Sequence, residues 1–138
     1  RAVTYAAAAL PHMPTARILG YAEPQPTSGI IQAWLQCCLD TKDRAEAERA
    51  WSFMHEQDII PTATCFERMA RMHLMQEQYE EAFTLLEQTK QCALVPTRRM
   101  YAAMIWTCWQ HNDERWRDLM QEMQEARYEP GERLRALS

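Results

Sequence analysis

Four prolines recur at a nearly constant interval along this chain. Pro26, Pro61 and Pro96 are 35 residues apart, and Pro130 follows 34 residues later. A threonine stands directly after each of the first three. Because proline lacks the N–H that a helix interior needs, each of these positions separates one structural unit from the next. A constant period of this length predicts a protein built from stacked repeats.

The segment 63–97 shows what one unit contains. Phe66, Met69 and Ala70 recur at three- and four-residue steps, which places them on one face of a helix. The polar run 76–78 interrupts the pattern, and a second amphipathic stripe follows it. Each unit is therefore predicted to be a pair of helices joined by a short turn.

Three successive units, 28–62, 63–97 and 98–131, place similar side chains at equivalent positions. Ala47 and Ala82 coincide in the second helix, where a small residue lets two helices approach closely. An early position of the first helix is large and apolar in every unit: Ile31, Phe66 and Tyr101. The agreement of these positions with the proline spacing predicts an all-α repeat protein.

This pattern resembles the pentatricopeptide repeat family, whose unit is a 35-residue helical hairpin. The unit 63–97 matches best, with the aromatic Phe66, the run YEEA at 79–82 and the ending LVP at 94–96. The related tetratricopeptide repeat fits less well, because it has a small residue at the position where two of these units have methionine. The resemblance implies an all-α fold, a right-handed helical-hairpin solenoid of about three 35-residue repeats.

The resemblance covers 28–131 and leaves two flanking segments. Residues 1–27 do not continue the repeat and are predicted to be an irregular extension, either an organellar transit segment or an arm lying on a partner. Residues 132–138 are a tail or the start of a further helix. Because each hairpin of a solenoid buries its face only against its neighbours, three hairpins are few. We therefore expect a piece of a longer protein, or a chain that docks onto partner proteins.

The sequence lacks the spacing of a catalytic or metal site. The dipeptide His55-Glu56 has no second histidine at zinc-protease spacing, and the five cysteines form no CxxC pair. There is no glycine-rich phosphate loop and no apolar run of about 20 residues. We expect a protein that is not an enzyme, with no metal, cofactor, small-molecule substrate or membrane, whose cysteines are small hydrophobes in a reducing compartment.

Charge divides between the two kinds of helix. The net charge of −4 does not favour a general nucleic-acid binder. The second helices are strongly acidic, which indicates either a solenoid with one acidic side and one neutral-to-basic side or an ordinary solvated helix face. The first helices have a positive balance and contain four arginines that can grip RNA phosphates without reading sequence: Arg68, Arg71, Arg98 and Arg99.

In the resembled family, each repeat contacts one base of single-stranded RNA through its fifth and last positions. Carried over to this chain, the base-facing pairs are Gln32 with Thr62, Glu67 with Thr97, and Ala102 with Gly131. The positions that would sandwich the base are Gly29, Thr64 and Arg99. Ala102 and Gly131 offer no side-chain donor or acceptor, and Glu67 would repel a phosphate. We therefore do not expect base-by-base readout.

The third unit departs most from the pattern. It is one residue short within 111–115, so its second helix is expected to be distorted. It also holds a cluster of three tryptophans, which at helical spacing is more typical of a core or protein interface than of a base platform: Trp106, Trp109 and Trp116.

Together these features lead to one hypothesis and two alternatives. The leading hypothesis is a non-catalytic scaffold in an organellar ribonucleoprotein, in first place a structural component of a mitochondrial ribosome that contacts ribosomal RNA backbone and neighbouring proteins. The resemblance places it in the mitochondrial matrix rather than in a plastid. The alternatives are a fragment of a longer sequence-specific RNA-binding protein and a pure protein–protein adaptor.

Overall fold

The computed structural model describes residues 27–137, which form seven helices and no strand. The helices are α1 Ser28–Thr41, α2 Arg44–Glu56, α3 Ala63–Met75, α4 Tyr79–Gln91, α5 Arg98–Gln110, α6 Arg115–Glu125 and α7 Glu132–Arg135. The all-α prediction is confirmed for this part of the chain. The predicted N-terminal extension, apart from Thr27, lies outside the described residues.

The helices pack in consecutive pairs. α1 packs on α2, α3 on α4, and α5 on α6. The first helices of these pairs also contact one another in chain order, α1 with α3 and α3 with α5. The short α7 packs on α5. Neighbouring pairs thus meet mainly through their first helices, with a smaller contact between α2 and α3.

Side-chain oxygens define where several helices begin. The hydroxyls of Thr62 and Thr97, which follow the unit-ending prolines, accept from the backbone N–H three residues ahead at 3.4 and 3.1 Å. Asp43 caps α2 in the same way at 3.1 Å. Asp43 is therefore the N-cap of α2, and Thr41 is the last residue of α1.

Each of the first six helices ends in the same turn. A residue one or two positions after the helix adopts a left-handed backbone. The residue that follows it donates its N–H to the carbonyl five positions earlier. This is the Schellman arrangement, which satisfies carbonyls at a helix end. The left-handed residues recur at intervals of 34 or 35: Lys42, Glu77 and Asn112, then Asp58, Ala93 and Arg127. None of them is glycine, the residue that best tolerates this conformation.

The Ala93→Gly variant is expected to raise the free energy of unfolding by about 0.5–1 kcal/mol. Ala93 is exposed and has a φ of 59°, so its Cβ clashes with the backbone in the left-handed region. Glycine removes this clash, and the gain exceeds the entropy cost of a more flexible unfolded chain. Urea unfolding followed by circular dichroism measures the change. Ala45→Gly, on an exposed helical site, should lower stability instead, and the same sign for both variants would contradict this explanation.

The core follows the positions that the repeats share. Ala47 and Ala82 have no exposed surface, and they stand at equivalent positions of α2 and α4. Trp51 of α2 meets Phe66 of α3 edge to face, with ring centroids 5.4 Å apart. The early apolar positions of all three first helices are buried: Ile31, Phe66 and Tyr101. The apolar periodicity of the sequence therefore corresponds to one continuous core.

Arg115 is one of the side chains that join the last pair to its neighbour, beside the ion pair of Lys90 with Glu122. α6 has 11 residues, whereas α2 and α4 have 13 each. Arg115 at its start bonds Asp113 at 2.6 Å and Glu80 of α4 at 2.8 Å. Its guanidinium also lies 3.8 Å from the ring centroid of Phe83. This bridge joins α6 to α4 where the sequence is one residue short.

The Arg115 bridge predicts a pH dependence of stability. Hydrogen bonds from the guanidinium lower the pKa of both Glu80 and Asp113 below their ordinary values. The stabilisation is present above the ordinary pKa and is lost as pH falls through the lowered values. Arg115→Gln should therefore flatten the loss of thermal stability below about pH 4.5. Arg117→Gln, on the same helix, should keep the wild-type profile, and equal profiles for all three proteins would refute the prediction.

Candidate nucleic-acid interface

Three of the four predicted RNA-binding arginines line one groove beside α5. Arg71 comes from α3, and Arg98 and Arg99 come from the first turn of α5. The groove encloses about 380 Å³. Its other lining residues come from α5, α7 and the segment before α7: Ala102, Ala103, Trp106, Gly131, Arg133 and Leu134. The lining contains no carboxylate, so an anion would meet only positive charge there.

The arginines in the groove differ in how much of their hydrogen-bonding capacity is used. Arg71 makes a 3.4 Å ion pair with Glu67, and its side chain is 29% exposed. Arg98 donates from Nε to the carbonyl of Glu129 at 2.8 Å. Arg99 is exposed and makes no hydrogen bond or ion pair within residues 27–137. Arg99 and the outer edge of Arg98 are thus available to a ligand.

Arg68, the fourth arginine, has a structural contact. Its Nη1 donates to the backbone carbonyl of Gln32 at 2.6 Å, which joins α3 to α1. It is not among the residues that line the groove. The prediction that Arg68 grips phosphate therefore has less support from the structure than the same prediction for the other three.

The structure brings together the first two base-facing pairs that the resemblance implies. Gln32 donates from its side-chain amide to the hydroxyl of Thr62 at 2.7 Å. Thr97 donates to Oε1 of Glu67 at 2.9 Å, and Arg71 reaches the other oxygen. Glu67 is only 6% exposed. The polar groups of both pairs therefore bond to each other.

The third pair, Ala102 and Gly131, lies in the groove itself. Neither side chain can donate or accept a hydrogen bond. A Cβ placed on Gly131 would lie 3.4 Å from Nη2 of Arg98, which is van der Waals contact, so Gly131 lies directly beside that guanidinium. The groove thus offers positive charge without side-chain groups at the base-facing positions.

Thr97→Ala should lower the free energy of unfolding by about 2–3 kcal/mol. The change removes the α5 cap and one donor to the buried Glu67 carboxylate, and these two losses add. Thr62→Ala is the matched control one unit earlier, where the cap is lost but the partner is a neutral amide, and about 1 kcal/mol is expected. Chemical denaturation measures both, and equal losses would show that the Glu67 contact adds nothing.

The predicted tryptophan cluster divides into a pair and a separate residue. Trp106 and Trp109 stack with centroids 5.8 Å apart and an angle of 20° between their planes. Trp116 is half-buried on α6, and within the described chain its ring contacts neither of the other two. Trp109 is 43% exposed, which agrees with a surface role, whereas Trp106 faces the arginine groove.

The sequence interpretation missed Arg133. Its guanidinium carbon lies 3.6 Å from the ring centroid of Trp106, although the two residues are 27 positions apart. The sequence did contain a signal for Arg133. It lies 34 residues after Arg99, the length of the third unit, and so occupies the equivalent repeat position. Extending the repeat register beyond Gly131 would have found it.

The second helices of the pairs carry exposed acidic side chains. None of these residues lines the arginine groove. They lie on α2, α4 and α6: Glu48, Glu56, Glu80, Glu81, Glu87, Asp118 and Glu125. The division of charge between first and second helices therefore applies to the exposed residues as well as to the sequence.

Three of the five cysteines, Cys38, Cys65 and Cys108, are buried, as expected for small hydrophobes, whereas Cys37 and Cys92 are exposed. Burial raises the pKa of the Cys38 thiol to about 12 and that of Cys108 to about 11, so both are protonated at neutral pH. Nδ1 of His73 lies 2.8 Å from the side-chain amide of Gln78, within hydrogen-bonding distance. Within residues 27–137, no group of three or more histidine, cysteine, aspartate or glutamate side chains could hold a metal ion.

No protein-family model and no curated protein matches this chain. The resemblance to pentatricopeptide repeats therefore rests on the residues and spacing of the sequence. The described helices are also too short or too polar to cross a membrane. What the coordinates add is the all-helical fold, its packed pairs and the arginine groove.

Proposed function

We propose that this chain is a non-catalytic helical-repeat scaffold that holds RNA by its backbone within a ribonucleoprotein assembly. In this proposal, α1–α6 form three degenerate pentatricopeptide hairpins of a right-handed solenoid, and α7 starts a fourth. Two observations support the repeat architecture. The first helices contact one another in chain order, and the same helix-ending turn recurs every 34 or 35 residues.

The observation that carries the RNA contact is the convergence of Arg71, Arg98 and Arg99 on one groove. Guanidinium groups match phosphate geometry, because they present several N–H donors in one plane. The neighbouring base-facing groups, Glu67 and Thr97, bond to each other. This surface is therefore suited to hold a phosphate backbone without selecting bases.

The setting of the scaffold follows from the resemblance. We place the protein in the mitochondrial matrix, as a structural component of the mitochondrial ribosome that contacts ribosomal RNA and neighbouring proteins. The acidic second helices and the exposed Trp109 are the surfaces that we assign to those proteins.

The test is the salt dependence of RNA binding by the 138-residue chain. Fluorescence anisotropy with single-stranded 12-nucleotide RNAs of different sequence should give micromolar affinities that vary little with sequence. Each phosphate contact on a single strand contributes about −0.7 to the slope of log affinity against log salt, so three arginines predict a slope near −2. Absence of binding at low salt, or strong preference for one sequence, would overturn the proposal.

A pure protein–protein adaptor is the second candidate, and exposed aliphatic side chains favour it. Ile60 is 84% exposed and Val95 is 59% exposed, and they occupy equivalent positions before Pro61 and Pro96. The test changes four arginines to glutamate together: Arg68, Arg71, Arg98 and Arg99. If this variant still joins its assembly and its association with RNA is not reduced, the chain is a protein–protein adaptor.

A further inference from the structure

Two planar groups pack against the ring of Trp106 on α5. The Trp109 ring stacks with it, and the Arg133 guanidinium of α7 lies 3.6 Å from its ring centroid. α7 is held in place because Leu134 is 4% exposed and packs into the core. The position of Arg133 is therefore set both by the core and by the indole.

A guanidinium that stacks on an indole uses its face for the ring and keeps its N–H edge free. No hydrogen bond or ion pair joins Arg133 to another residue in the part of the chain that the structure describes. The same groove holds Arg71, Arg98 and Arg99 and is lined by no carboxylate. Four guanidinium groups gathered in this way repel one another, and a bound polyanion would relieve that repulsion.

We propose that Trp106 holds Arg133 as a preformed phosphate-binding arm, which extends the RNA contact from α5 onto α7. In this arrangement Arg133 is the binding residue and Trp106 is a positioning residue. Because the guanidinium is already stacked, less side-chain freedom is lost when a phosphate binds. This inference rests on the proposed function and adds a contact beyond the third predicted unit.

The geometry favours a phosphate contact over base stacking on Trp106. The Arg133 guanidinium already lies over the indole, 3.6 Å from its centroid, so a base that stacked on that face would have to displace it. Ala102 and Ala103, which also line the groove, offer no aromatic surface. An acidic peptide is the competing occupant, and it is included as an outcome of the test.

The experiment measures binding of the full chain to a 12-nucleotide oligouridylate by fluorescence anisotropy over a series of salt concentrations. Arg133→Ala should weaken binding about tenfold and reduce the salt slope by about 0.7, the contribution of one phosphate contact. Arg133→Lys keeps the charge but cannot stack as a planar fork, so it should recover only part of the affinity. Arg135→Ala, on the same short helix and outside the groove, should leave affinity and salt slope nearly unchanged.

The role of Trp106 is tested by a double-mutant cycle. Trp106→Ala alone should weaken binding about as much as Arg133→Ala, and the double variant should be no more than about twofold weaker than either. Trp106→Phe retains an aromatic face and should restore most of the affinity. Circular dichroism and thermal unfolding identify any variant that has lost its fold. If Trp106→Ala is unfolded, Trp106→Leu decides in its place, because it keeps side-chain volume without an aromatic face and should weaken binding about as much as Arg133→Ala.

Several outcomes overturn this inference without affecting the proposed function. If losses from Trp106→Ala and Arg133→Ala multiply, or if only Trp106→Ala weakens binding, the indole acts independently of Arg133. If wild type binds no RNA at low salt, the proposed function itself fails. An oligoglutamate peptide then serves as the probe, and Arg133-dependent binding of that peptide would assign the groove to protein carboxylates instead of phosphates.

Discussion

Phe66→Ala is expected to lower the free energy of unfolding by about 3–5 kcal/mol, the usual cost of removing a buried aromatic ring. Phe66 is 3% exposed and meets Trp51 edge to face, where the first helix pair packs on the second. The substitution therefore removes core volume and an aromatic contact between pairs. Guanidinium unfolding followed by circular dichroism measures the effect.

A loss of this size should be decisive in a chain with three helix pairs. Small domains have total stabilities of about 5–15 kcal/mol, and in a repeat array each pair depends on its neighbours. We expect Phe66→Ala to be largely unfolded at 37 °C. Phe66→Leu should lose less because it keeps most of the volume, and Ile60→Ala, at an 84% exposed site, should be nearly neutral. A loss below about 1 kcal/mol for Phe66→Ala would contradict the packing described here.

The buried face of each helix could be predicted from the sequence, because apolar spacing is local information. Ile31, Phe66 and Tyr101 recur at one repeat position, and all three are buried. The starts of α3 and α5 were also readable, since a threonine after a unit-ending proline can cap the following helix. These features depend on residues close together in the chain.

Other contacts could not be predicted from local apolar spacing, because they depend on which helices pack together. Glu67 looked like an obstacle to phosphate, but its carboxylate accepts from Thr97 and pairs with Arg71. Arg133 reaches Trp106 only because α7 packs on α5. Trp116 lies apart from the other tryptophans because it belongs to α6. Contacts of this kind depend on how neighbouring helix pairs are oriented. Composition and repeat period do not specify that orientation.

Arg71→Glu/Arg99→Glu should weaken the binding of single-stranded RNA by more than about 100-fold at 0.1 M salt. Two positive side chains in the groove are replaced by two negative ones, so two phosphate contacts are lost and repulsion is added. The slope of log affinity against log salt should fall by about 1.4, twice the single-strand contribution of one contact. Anisotropy titrations at four salt concentrations measure both quantities.

The matched control is Arg44→Glu/Arg117→Glu, which changes the net charge by the same amount on α2 and α6, outside the groove. If both double variants weaken RNA binding equally, the effect comes from net charge and the groove has no special role. Arg71 also pairs with the buried Glu67, so changing it affects folding as well as RNA binding. Arg99→Glu alone is therefore expected to show a substantial part of the loss of RNA affinity, with an unchanged thermal unfolding curve. A normal RNA affinity for that single variant would remove the groove from the RNA-binding surface and leave protein partners as its ligands.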